Sequence, residues 1–239
     1  MKVQLFIPCF VDQFYPETAF NMVKVLEKLN CDVSYNPNQT CCGQPAYNAG
    51  FCDDARDVAS KFLKDFDNAD YIVAPSASCV GFVRNYFPTL FENNTSIHSA
   101  KKITNRIYEF SEFLTEVLQI KNFDATLQAK ATYHDSCAAL RECKIKEGPR
   151  SLLKYVEGLE LIEMKDAETC CGFGGTFAVK FEAISTSMAD QKIDNVVATG
   201  AEYIISTDLS CLLQLDSIIK KRALQIKTIH LADVLASGW

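Results

Sequence analysis

Eleven of the 239 residues are cysteines, and eight of them form one pattern written twice. The stretch NQTCCGQPAYNAG at 38–50 holds Cys41, Cys42 and Gly43, and AETCCGFGGTFAV at 167–179 holds Cys170, Cys171 and Gly172. One cysteine precedes each triplet and another follows it. The spacings are C-x31-CCG-x35-C from Cys9 to Cys79 and C-x32-CCG-x38-C from Cys137 to Cys211. Four thiolates gathered in one place bind a soft cation, either a zinc ion held tetrahedrally or an iron–sulfur cluster. Neighbouring thiolates on one backbone splay apart, which suits the separate irons of a [4Fe–4S] core better than one ion. The C-x2-C knuckles of structural zinc sites are absent. A metal-free thiol oxidoreductase using the adjacent pairs is the third chemistry open to these residues. Cysteines that merely pack in a core are common singly, but packing gives no reason for a duplicated set of four.

Composition restricts the setting. An apolar share of 48% and a charged share of 23% fit an ordinary globular chain. A net charge of −6 without a basic run argues against a nucleic-acid partner. The opening MKVQLFIPCF is interrupted too soon for a signal peptide, and no apolar run approaches the roughly 18 residues needed to cross a bilayer. A cytoplasmic protein is expected, and there cysteine richness points to metal or redox work rather than structural disulfides.

The elements that must position the thiols also repeat. DYIVAPSASC at 70–79 aligns with EYIISTDLSC at 202–211, and the Cys9 and Cys79 landmarks recur at Cys137 and Cys211 in the same order. This predicts two homologous halves, 1–120 and 125–239, joined through 118–130. Apolar runs predict strands at 3–8, 31–36, 71–75, 131–135, 160–164, 203–206 and 226–229. Helical spacing predicts helices near 19–29, 55–66, 80–91, 103–117, 149–157, 176–197 and 212–222. Alternating strands and helices predict an α/β fold, each half a parallel, Rossmann-like sheet. Ligands of such sheets gather at the carboxyl ends of the strands. Cys9, Cys41, Cys42 and Cys79 are therefore expected to converge, and likewise Cys137, Cys170, Cys171 and Cys211. Helices starting just after Gly43 and Gly172 would offset cluster charge.

CCGQPA, TCCGFGGTF, HDSC and the closing IHLADVL resemble the CCG cysteine-rich superfamily, which includes the cysteine-rich subunits of heterodisulfide reductase and the iron–sulfur subunits of glycolate oxidase. Within it they are most similar to the lactate utilisation protein A family. The resemblance covers essentially the whole chain. It implies an iron–sulfur subunit of a complex oxidising L-lactate to pyruvate, partnered by other subunits including a ferredoxin-type protein. The superfamily cassette ends in C-x2-C, whereas this chain has Ser76 and Asp208 where the first cysteine of that pair would stand. Each centre therefore has four cysteines rather than five, with Asp208 able to supply an oxygen ligand to the second.

Outside the pattern, Cys31, Cys52 and Cys143 are expected to pack. His134, three residues before Cys137, is a structural histidine or else a hydrogen-bond donor or proton carrier beside a cluster. Arg84 and Arg141, one helical turn beyond Cys79 and Cys137, either face solvent or offset cluster charge or grip a carboxylate. His98 and His230 read as peripheral. No G-x-G-x-x-G opens a helix, so a two-electron oxidation of a hydroxy acid needs an acceptor beyond any nucleotide cofactor of this chain, and the chain alone need not turn over.

Overall fold

The computed structural model of the chain describes residues 1–92, 95–120 and 124–238. Each half forms a four-stranded, all-parallel sheet. The first contains β1 (Lys2–Leu5), β2 (Asp32–Tyr35), β3 (Tyr71–Ala74) and β4 (Ile107–Glu109) in the order β2-β1-β3-β4. The second contains β5 (Thr126–Tyr133), β6 (Glu157–Leu161), β7 (Tyr203–Ser206) and β8 (Lys227–His230) in the order β6-β5-β7-β8. The inner strands are apolar because both faces are covered; Val3, Leu5, Ile72, Val73, Ile204 and Ile205 are all buried. In each sheet the winding reverses beside the first strand. Leu5 lies level with Val73, and Tyr133 with Ile205, so the loops leaving the two central strands start side by side.

Helices α1 (Cys9–Phe14), α2 (Pro16–Lys28), α3 (Gln44–Asn48), α4 (Cys52–Asp65), α5 (Ala77–Leu90), α6 (Ile97–Thr104) and α7 (Phe110–Glu112) surround the first sheet. Helices α8 (Glu147–Leu153), α9 (Thr176–Lys180), α10 (Glu182–Val197), α11 (Leu209–Lys221) and α12 (Leu231–Leu235) surround the second. π-helical turns follow α7 at Phe113–Val117 and Cys137 at Ala139–Cys143. No helix among the described residues is long and apolar enough to cross a membrane.

The duplicated α/β architecture is as expected, with local corrections. The helix expected over 103–117 is interrupted by β4, which pairs with β3 through Ile72 and Ile107. Ile107 and Glu109 are fully buried, and the apolar spacing that mimics a helix there comes from four short elements in succession. The strand expected at 131–135 begins at Thr126, inside the expected connection; residues 121–123 of that connection lie outside the described residues. The helix expected over 176–197 is two, α9 and α10, because Phe181 between them leaves the helical region at φ −132° and ψ 52°.

The halves share their cores. Val3, Leu5, Met22 and Leu26 belong to one apolar cluster with Leu212, Leu215, Val234 and Leu235 of the C-terminal half. In return Ala139, Cys143 and Ile145 join the cluster of Phe62, Phe66 and Phe87 in the N-terminal half. Polar ties reinforce this: Asp233 accepts from Thr18 Oγ1 and from Asn21 Nδ2, each at 2.9 Å.

Candidate functional site

The strand ends deliver the thiols. Cys9 opens α1 immediately after β1, the Cys41–Cys42 pair lies in the loop after β2, and Cys79 sits in the first turn of α5 after β3. Their sulfurs form a chain of neighbours: Cys9 faces Cys41, Cys41 faces Cys42, and Cys42 Sγ lies 3.5 Å from Cys79 Sγ. The second half repeats the arrangement, Cys137 facing Cys170, Cys170 facing Cys171, and Cys171 facing Cys211. In both loops the glycine after the pair adopts a left-handed conformation, φ 92° at Gly43 and 91° at Gly172. Its N–H donates to the first cysteine of the pair, with Gly43 N to Cys41 Sγ and Gly172 N to Cys170 Sγ both 3.4 Å. A positive φ of this kind is cheap only for glycine, which accounts for the third letter of each triplet. α3 begins at once after Gly43, as expected, but α9 begins only at Thr176.

Two of these thiols are primed as anions. Hydrogen bonds from Cys42 and Cys9 hold Cys41 down to about 3, and those from Cys137 and Cys171 hold Cys170 down to about 2. Their donors move the other way: contact with Cys41 and then burial push Cys9 up, contact with Cys41 and Cys79 and then burial push Cys42 up, and contact with Cys170 and then burial do the same to Cys137. The depressed pair predicts a pH signature in metal-free protein. A simple thiol with a pKa of about 8.5 loses alkylation rate about tenfold per pH unit below that value. Cys41 and Cys170 are expected to be modified by iodoacetamide at a nearly constant rate from pH 8 to pH 5, as peptide mapping would record. Ordinary pH dependence at both would refute the anionic assignment.

Asp208 is engaged elsewhere. Its Oδ1 accepts from Ser210 N at 3.3 Å and Ser210 Oγ at 2.7 Å, capping α11, and its Oδ2 accepts from Ser78 N of the other half at 3.0 Å. Oδ1 thus caps its own helix while Oδ2 clasps the other half, a structural role beside the oxygen-ligand role expected of this carboxylate. Its counterpart Ser76 lies 3.1 Å from Ser78 through their hydroxyls. Asp208→Ala is expected to cost roughly 2–3 kcal/mol in urea unfolding, from a lost cap and a lost charged hydrogen bond. Asp208→Asn, which keeps an accepting oxygen, is expected to recover more than half of that; equal losses in both would argue against the clasp.

Arg84 is claimed by a carboxylate. It forms a two-pronged pair with Glu112 at 2.9 and 2.6 Å and donates to Ile107 O at 2.6 Å, holding α5 to the start of β4 and to α7. His230 is buried rather than peripheral and caps α12 by accepting from Ala232 N at 3.0 Å; His98 is exposed on α6. Cys143 is buried, with its thiol 3.4 Å from Ala77 O and pushed up to about 12 by burial. Cys31 is buried in the core and Cys52 is exposed.

The second centre carries features the cysteine pattern does not announce. His134 is fully buried, and burial, aided by Lys192, holds its imidazole neutral with a pKa near 3. Lys192 on α10 is 1% exposed and donates to Asp166 O at 2.6 Å and Ala167 O at 3.0 Å, anchoring the loop that leads into Cys170. Beside that loop lies a cavity of about 980 Å³ walled by Cys170, Asp135, Arg141, Lys146, Arg150 and Glu163 among others. Arg150 is saturated by Asp135 and Glu163, and Lys146 is paired with Glu168 at 2.6 Å. Among the described residues Arg141 has no ion pair, so it is the wall cation open to an anionic visitor. Lys192 was legible only through the repeat, since it stands seven positions past Ser185 as Phe62 stands seven past Ala55.

The donor chemistry fits a thiolate-bound metal. Four sulfurs lie in a chain of neighbours in each half, one of them with its pKa held down, and a glycine N–H points at it, which is how proteins stabilise such centres. The 3.5 Å between Cys42 and Cys79 is close to the edge of a tetrahedron about one ion, about 3.8 Å for metal–sulfur bonds of about 2.3 Å. A four-iron core needs a wider opening of the same loops.

Two parallel sheets with paired thiols at their switch points define a duplicated cysteine-rich protein. The family model for the cysteine-rich domain (CCG) matches twice, over residues 3–84 and 131–216. Lactate utilization protein A of Halalkalibacterium halodurans is 44% identical over 235 residues, covering 98% of this chain and 96% of that one. Lactate utilization protein A of a Geobacillus species is 41% identical over 238 residues, covering 99% and 100%. The chain belongs to the lactate utilization protein A family of cysteine-rich CCG proteins. A crystal structure of a hypothetical protein from Helicobacter pylori is similar in fold over 100% of this chain, with a TM-score of 0.65 at 12% identity. This chain spans 49% of the length of that one.

Proposed function

We propose that this chain is a cytoplasmic iron–sulfur subunit of an assembly that oxidises L-lactate to pyruvate. The observation that carries the reading is the pair of four-cysteine groups at equivalent strand ends, in a chain of the lactate utilization protein A family. Cys9, Cys41, Cys42 and Cys79 would hold one centre, within a domain spanning 1–120. Cys137, Cys170, Cys171 and Cys211 would hold the other, within a domain spanning 125–239. When bound, an iron–sulfur cluster takes up and passes on single electrons. Oxidation of one lactate to pyruvate releases two electrons and two protons, so either two centres or two successive passes serve each turnover. The remaining parts of the assembly, a ferredoxin-type iron–sulfur protein among them, would receive those electrons. Within this chain, Arg141 is suited to hold the substrate carboxylate at the wall shared with Cys170.

The test is the count of iron, acid-labile sulfide and zinc per chain on protein purified without oxygen, with an absorption spectrum before and after dithionite. About four irons and four sulfides per centre, with a brown band that bleaches, are expected. The close Cys42–Cys79 approach favours a second reading, a zinc-bound structural subunit of the same kind of assembly. Stoichiometric zinc without a visible band would select it and overturn the electron-transfer role.

A further inference from the structure

The two halves share a backbone but line their centres differently. Phe6 and His134 occupy the same place: each follows the last paired residue of its half's first strand and donates its backbone N–H to the neighbouring strand. Phe6 donates to Val73 O at 3.0 Å and His134 to Ile205 O at 2.8 Å. Phe62 and Lys192 are also counterparts. The Cβ position of Gly43 faces Ala55 and Val58, that of Gly172 faces Ser185 and Met188, and α4 and α10 reach Phe62 and Lys192 two turns later. In the N-terminal half the two positions form an edge-to-face aromatic pair with centroids 4.8 Å apart. In the C-terminal half they hold an imidazole and an ammonium, both buried.

An apolar pair needs no explanation behind a thiol cluster, whereas a buried imidazole does. Leaving such a polar group without a hydrogen bond costs about 1–3 kcal/mol, and neither ring nitrogen of His134 has a well-formed hydrogen bond among the described residues. The Ala167 carbonyl acts on the ring from nearby but does not meet it in hydrogen-bonding geometry. Lys192 does not relieve it either, because its ammonium is directed at the Asp166 and Ala167 carbonyls. What the ring does face is sulfur: a ring nitrogen of His134 and the Sγ atoms of Cys171 and Cys211 all lie within 4.8 Å of one another. A neutral nitrogen lone pair and two thiols at that spacing are a ready set of ligands for one metal atom.

We propose that His134 is a nitrogen ligand of the C-terminal centre, sharing one metal atom with Cys171 and Cys211, while the N-terminal centre is bound by thiolates alone. This rests on the reading that each cysteine group holds metal. An imidazole is neutral where a thiolate is charged, and histidine ligation raises the potential of a cluster. Of two iron centres in this chain, the C-terminal one would then be the first to accept an electron, and Phe6 marks the half in which that ligand is missing.

The experiment uses the full chain, purified anaerobically after growth with ¹⁵N-histidine and, separately, with ¹⁴N-histidine. Pulsed EPR on the dithionite-reduced protein reads iron centres; X-ray absorption at the zinc edge, with its imidazole scattering, reads zinc. A histidine coupling in the unaltered protein, lost in His134→Phe with the N-terminal signal unchanged, is the expected result. The phenylalanine is what the other half carries at this place, and the isotope shift in the unaltered protein stands even if the variant folds poorly. Bound metal without any histidine signal, or a signal that survives His134→Phe, would overturn the assignment while leaving the metal reading intact. Protein that takes up no metal at all would overturn both.

Discussion

Replacing Cys171 with serine is expected to strip the metal from the C-terminal half and leave the other half loaded, so that metal per chain falls by about half. Combining it with Cys42→Ser is expected to remove nearly all of it. Both side chains are almost fully buried, at 2% and 1% exposure, and each stands between two other sulfurs of its centre. A serine hydroxyl is a poor replacement for a thiolate toward zinc or iron. Because metal binding in such sites draws on the whole ligand set, loss of a central ligand is expected to weaken retention by more than about 100-fold. In cells that need this chain to grow on L-lactate, the double variant is expected not to grow. Full metal content in the double variant would show that these thiols are packing residues.

The second large effect concerns the backbone beneath the thiols. Gly172→Ala is expected to lower stability by about 2–4 kcal/mol, read from thermal or urea unfolding of metal-free protein. The added methyl would have to adopt a φ of 91° and would lie 2.5 Å from the carbonyl oxygen of Ser185, which belongs to α10 and has no freedom to retreat. Gly50 separates the two contributions: its φ is the same, 91°, but the space around it is open. Gly50→Ala therefore measures the conformational cost alone, about 1–2 kcal/mol. Gly43→Ala, with its nearest contact at 3.2 Å, is expected to fall between them. Equal losses at all three positions would mean that the packing of the CCG loop on its helix contributes nothing.

Much of this was legible because the chain carries its own comparison. The strand before each lone cysteine, the loop before each pair and the parallel order of the strands follow from apolar runs interrupted at matching places. The same comparison, pressed harder, would have found β4: the strand near 226–229 ends in IHLADVL, and its counterpart in the first half is IYEFSEFL. Helical spacing at Ile103, Ile107, Phe110 and Leu114 outweighed it, since a three-residue strand between two helices leaves no periodicity of its own. Asp208 was only half legible, for a different reason. A carboxylate at a ligand position reads as a ligand, and only the fold reveals that it also accepts from the backbone N–H of Ser78, 130 residues away in sequence. Lys192 was hidden within an amphipathic pattern, where a lysine ordinarily faces water.

The exchange of core residues between the halves bears on how such a chain can change over generations. Neither sheet has a hydrophobic interior complete in itself: α1 and α2 are covered from the C-terminal half, and Phe62, Phe66 and Phe87 share their cluster with Ala139 and Ile145. One copy of the duplication therefore cannot be discarded as a block without unravelling its twin. A lineage that no longer needed two alike centres could only retire or repurpose one by exchanging single side chains around an intact frame. Phe6 opposite His134, Phe62 opposite Lys192 and Ser76 opposite Asp208 are the kind of differences that such a history leaves behind.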